Sequence, residues 1–151
     1  MNTKQESKSQ LPYPGSGGRS SAILTLILSL ACAIVSAAAA APMAQVKTLM
    51  TKPLPNVPGK EATMLLVTYP PGSKDPVHRH NASTFVYVLE GSIVMQMRGS
   101  KPVTLHRGQT FYEDPRGIHQ VGRNASNKVP AKFIVLLVKD KGAPVLVPVK
   151  K

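Results

Sequence analysis

From residue 46 onward the chain is a succession of short apolar or alternating runs, each closed by a turn signal. The runs fall at 62–69 (ATMLLVTY), 84–89 (TFVYVL), 92–97 (SIVMQM), 102–105 (PVTL), 109–113 (QTFYE), 132–138 (KFIVLLV) and 145–149 (VLVPV). They are rich in Val, Ile, Thr, Phe and Tyr, whose branched or aromatic side chains suit a pleated surface. Between them stand Pro70-Pro71-Gly72, Glu90-Gly91-Ser92, Arg98-Gly99-Ser100, Arg107-Gly108 and Asp114-Pro115-Arg116-Gly117. Such groups supply the backbone angles of tight turns. No stretch in this part sustains a helical period. Strands of this length at this spacing predict one all-β domain, a sandwich or a barrel, with no repeat and no second domain.

The N-terminal part reads differently. Residues 1–21 are polar and carry Lys4, Lys8 and Arg19; an apolar run follows from Ala22 to Val35, then Ser36 and alanines 37–41. A basic region, a short apolar region and small residues offering A-x-A sites predict a secretory signal peptide over 1–41, cut near Ala39–Ala41. The apolar run falls short of the roughly 20 residues of a membrane-spanning helix. No membrane span is expected after cleavage; an uncleaved anchor is the alternative. Residues 42–60, with Pro42, Pro53, Pro55 and Pro58, predict an extended arm, leaving 61–151 for the barrel. The expected location is periplasmic or secreted. Cys32 is the only cysteine and lies inside the apolar run. A processed chain therefore has no thiol, which excludes cysteine catalysis and disulfides.

The chain carries 19 Lys and Arg against 7 Asp and Glu, a formal net charge of +12. That balance favours anionic partners. Nucleic acid is not expected, because the basic residues are scattered through the sequence and few aromatics interleave with them to stack bases. An anionic small molecule, a cell-wall polymer or lipid headgroups are the expected partners.

The processed domain retains four histidines. Two form His78-Arg79-His80 beside a strand-like run, where alternate residues share a face and two imidazoles can converge. A third, His119, lies about forty residues on. Three imidazoles with open positions left over suit a catalytic or binding metal. His106, before the Arg107-Gly108 turn, reads as a surface histidine. Glu113, ahead of the Asp114-Pro115 turn, is a candidate general base or distant ligand if it faces inward. The competing reading is a solvated turn carboxylate. Tyr87, Met95, Met97 and Phe111 are candidates for a pocket wall or for ordinary core.

The framing of these histidines resembles the cupin superfamily. The first family motif, G-x5-H-x-H-x3,4-E-x6-G, is matched by Gly72, His78, His80 and Gly91, with Thr84 at the carboxylate position. The second, G-x5-P-x-G-x2-H-x3-N, is matched by Gly108 and His119. Pro115 and Gly117 stand slightly off their slots, and Asn124 falls one place late, with Arg123 at the expected position. The resemblance covers about residues 60–140. It implies a double-stranded β-helix, a jelly-roll barrel with the motif histidines inside. It also implies one divalent transition metal on His78, His80 and His119: Fe or Mn first, with Zn, Ni and Cu as alternatives. Thr84, Tyr87 and Phe111 are expected around the pocket.

Because Thr84 replaces the family carboxylate, the expected donor set is three neutral imidazoles. The full dipositive charge then favours a small anionic, chelating oxygen compound, as in three-histidine dioxygenase-like members. The alternative is a non-catalytic module that captures a small ligand or a cell-surface polymer. Fold likeness does not choose between them. The family also implies a possible homodimer.

Overall fold

In the computed structural model the described residues are 42–149. They form β1 (Gln45–Pro53), β2 (Lys60–Tyr69), β3 (His78–Arg79), β4 (Ala82–Glu90), β5 (Ser92–Met97), β6 (Val103–His106), β7 (Thr110–Glu113), β8 (His119–Asn124), β9 (Ala131–Asp140) and β10 (Val147–Pro148). The expected signal peptide lies outside the described residues. Among the described residues, no helix is long and apolar enough to cross a membrane.

The strands pair antiparallel into two five-stranded sheets, β1-β2-β9-β4-β7 and β10-β3-β8-β5-β6. This is the double-stranded β-helix. Strict alternation builds it: β2 switches between half-buried and buried at every residue, and β9 does so from Ala131 to Lys139. Inward go Leu65, Val67 and Tyr69 from β2 and Phe133, Val135 and Leu137 from β9; Ile93 and Met95 of the second sheet complete the core. Tyr69 and Phe133 meet edge to face, 4.8 Å between ring centroids, a favoured aromatic geometry. Gly91 turns β4 into β5 at φ 69°, and a Cβ there would lie 2.7 Å from the Pro130 carbonyl oxygen. Only glycine fits.

Residues 42–60 contain more than a separate arm. Gln45–Pro53 is the edge strand of the first sheet, paired with β2 from Gln45↔Thr68 to Pro53↔Glu61 around a one-residue irregularity at Leu49. Every residue of β1 is exposed. A strand contributing so little burial leaves no apolar alternation in the sequence.

The outer face of the first sheet is also apolar. Met64, Phe85, Tyr87, Tyr112, Ile134 and Leu136 border a groove of about 460 Å³ there. Ion pairs lie at its ends, Lys60 to Asp140 at 2.7 Å and Lys132 to Glu90 at 3.1 Å.

Candidate metal centre

Three short elements bring four side chains to one point inside the barrel. His78 leaves β3 and His80 follows it, His119 opens β8, and Glu113 closes β7. β3 and β8 pair at one register position, His78↔His119. One ligand atom from each of the four lies within 4.8 Å of every other. His78, Glu113 and His119 are buried and His80 half-buried.

Backbone carbonyls fix the two motif-1 rings. His78 Nδ1 donates to the Pro76 carbonyl at 2.8 Å, and His80 Nδ1 donates to the Val145 carbonyl. With both Nδ1 atoms protonated, each Nε2 presents a lone pair. Those two lone pairs face each other at 3.1 Å. Two acceptors held that close repel unless a proton or a metal ion lies between them. His119 Nδ1 sits 3.3 Å from His78 Nε2. Glu113 Oε2 stands 3.5 Å from both His80 Nε2 and His119 Nδ1. Four atoms about 2.1 Å from one centre, at octahedral to tetrahedral angles, would be about 3.0–3.4 Å apart. These four neighbouring distances, 3.1–3.5 Å, lie at or just above that range. Glu113 Oε2 is buried with no hydrogen-bond partner, and buried polar atoms are rarely left so. The donor set fits a divalent transition metal.

Burial sets the charge states. It raises Glu113 to about 7, with the neighbouring Asp75 adding to the effect, and lowers His119 to about 3, helped by His78 and His80. It also lowers His80, against the pull of the Val145 carbonyl. All three directions record charged forms denied water.

Glu113 alters the donor set expected from sequence. Thr84, at the family's carboxylate position, is fully buried, and across the β4–β7 ladder its register partner is Glu113. A carboxylate is therefore present in the cluster, on the neighbouring strand. Glu113 is 2% exposed, so the solvated-turn reading is wrong. Among the pocket candidates, Tyr87 is misplaced: three positions from Thr84 on one strand, it points to the opposite face and is 46% exposed in the outer groove. Phe111 packs against the core and borders that same groove. Met95 does line the inner cavity. His106 is exposed, as expected, and meets the Ser92 hydroxyl at 2.8 Å.

The one-residue offset in the second motif has a structural cause. Measured from Pro115, Gly117 and Asn124, the ligand slot would fall on Gln120. In the β5–β8 ladder Gln96 pairs with Val121 and Met97 with His119, so Gln120 is bulged out. The bulge turns His119 inward, a known use of bulges beside sites. Asn124 is locked in the interior, its amide donating to the carbonyls of Tyr69, Pro70 and Val129.

A second polar pair, which sequence reasoning missed, adjoins the cluster. Buried Tyr69 donates its hydroxyl to Asp75. Burial raises the carboxyl of Asp75 against the opposing effect of that bond; burial and then Asp75 raise the phenol. A Cβ on Gly122 would stand 2.8 Å from His119 Cε1, 2.9 Å from the Tyr69 hydroxyl and 3.2 Å from Asp75 Oδ2. Glycine is what lets the three converge. The cluster and this pair lie at one cavity of about 110 Å³, whose remaining wall includes Leu65, Val67, Phe133, Val135, Val145 and Leu146.

Comparison with known proteins agrees with this architecture. A family model described as a cupin domain matches residues 65–137. No curated protein matches. Among solved structures, the chain is similar to the DMSP lyase DddQ from Ruegeria pomeroyi DSS-3, at 24% identity and a TM-score of 0.52 over 58% of this chain and 42% of that one. A cupin domain from Bordetella pertussis Tohama I aligns at 20% identity and a TM-score of 0.51, over 66% of this chain and 97% of that one. Oxalate oxidase in complex with the substrate analogue glycolate aligns at 23% identity and a TM-score of 0.51, over 58% of this chain and 46% of that one. The chain spans less than half the length of the DMSP lyase and the oxidase. At these identities the likeness is one of fold.

Proposed function

The chain belongs to the cupin superfamily, and from that premise we propose that it holds one divalent transition metal, iron or manganese first, on His78, His80, His119 and Glu113. There it binds a small oxygenated anion. Bound at this site, the metal would supply Lewis acidity toward a ligand oxygen and, if iron, a means of activating dioxygen. The chain's own residues do the rest. The Pro76 and Val145 carbonyls hold two imidazoles with Nε2 inward. The apolar wall limits water. Glu113 gives up its proton on joining the donor set, lowering the net charge of a dipositive centre to about +1. That still favours a monoanion, though less strongly than three imidazoles alone. The observation that carries the reading is the pair of Nε2 lone pairs facing each other at 3.1 Å beside an unpartnered buried carboxylate oxygen.

Metal analysis of protein purified from its native compartment tests it. One iron or manganese per chain is expected, lost on His80→Ala, with oxygen uptake on supplying a small chelating substrate if iron is held. Metal-free protein that still captures a ligand would instead identify a binding module. We also propose export, from the basic–apolar–alanine order of residues 1–41. A mature N-terminus just after Ala39–Ala41 is expected; an intact N-terminus on membrane-bound protein would identify the uncleaved anchor, and recovery from the cytoplasm alone would refute export.

A further inference from the structure

We infer that the ligand of this cavity is monotopic: one oxygen head at the His–Glu cluster and a compact uncharged apolar body, with no second charge. This rests on the metal-centre reading and adds the class of ligand. The chain carries 19 Lys and Arg, yet among the described residues none lines the cavity. Its polar groups are all at the cluster and the adjoining Tyr69–Asp75 pair. The rest of the wall is Leu65, Val67, Phe133, Val135, Val145 and Leu146, with Met95, Ala44 and Val46 beside them. A second carboxylate or phosphate reaching past the cluster would be desolvated against hydrocarbon with no cation to meet it. An apolar cavity of ~150 Å³ admits benzene. On that scale about 110 Å³ accepts a body of about four or five non-hydrogen atoms.

The test uses cobalt-loaded full chain, titrated with hydroxamates and read by the visible cobalt spectrum. Affinity should rise about fourfold per added methylene from acetohydroxamate to 4-methylpentanohydroxamate. Succinate monohydroxamate, which puts a carboxylate where that probe has its isopropyl end, should bind at least about tenfold more weakly. Leu146 is 36% exposed, so Leu146→Lys can place an ammonium at this wall without burying it. That variant should recover the succinate probe about tenfold with cobalt content unchanged. Cobalt uptake with equal or tighter binding of the succinate probe overturns the inference and leaves the metal centre standing. Indifference of the Leu146→Lys variant also overturns it, because the ligand body then lies elsewhere. Failure to take up cobalt overturns the metal-centre reading and the inference with it.

Discussion

The two faces of the β1-β2-β9-β4-β7 sheet are similar in apolar content and differ in what interrupts it. Inward, Leu65, Val67, Phe133 and Val135 give way to Glu113, and the three histidines arrive opposite. Outward, Phe85 and Tyr112 meet at a 49° tilt, 5.2 Å between centroids, beside Tyr87, and charges occur as ion pairs at the sheet ends. The inner face leaves polar atoms unsatisfied; the outer face leaves aromatic carbon exposed. Hydrophobic surface alone therefore does not mark the site. Buried, unpartnered donors converging on one point do.

Adjacent leucines on β9 give the sharpest way to break this comparison. Leu137→Ala, fully buried, should cost about 2–5 kcal/mol, and Leu136→Ala, half-buried on the outer face, about 1 kcal/mol or less, by denaturant unfolding. Equal costs would mean that the outer face is covered in solution. Next, His80→Ala should weaken metal binding at least about 100-fold in a chelator competition, since altering even the outer partners of a ligand costs 10–100-fold. Tyr87→Ser should leave metal affinity unchanged.

The third effect is pH-dependent and smaller. Glu113 is raised from 4.5 to about 7 in the folded chain. Its contribution to the metal-free fold is therefore fully present below pH 4.5 and lost as pH rises through about 7. The loss is about 1–3 kcal/mol. His119, lowered from 6.5 to about 3, acts oppositely: its contribution is present above 6.5 and lost as pH falls toward 3. Subtracting the stability profile of Glu113→Gln from that of the wild type, both in chelator, should isolate the falling limb. The smallest effect is Tyr87→Ser on stability, within about 0.5 kcal/mol, because the ring is already half in water.

Much of this was legible in the sequence. Seven strand runs emerged within one or two residues of their observed limits; β1, with neither face buried, and the ligand-bearing β3 and β8 had no run of their own. His78 and His80 could be placed together because period-2 geometry applies to neighbours two apart. His119 was found by its glycine framing, but its inward aim depends on a bulge at Gln120 that no alternation predicts. Glu113 faced the opposite difficulty: its partner across the ladder, Thr84, is twenty-nine residues away, and register between strands is not written in either one alone. Tyr87 shows the cost of ignoring parity, since three residues along a strand is always the other side.

The Val145 carbonyl that steadies His80, and the pairing of Val147 and Pro148 with Arg79 and His78, tie the first two ligands to β10, about seventy residues further along. Ribosomes make that strand after every ligand. The donor set can therefore reach its finished shape only once synthesis has passed residue 148, so ion loading is a late event. If the polypeptide crosses a membrane unfolded, the choice of ion falls to the compartment where folding ends, and the supply there decides which element the protein acquires.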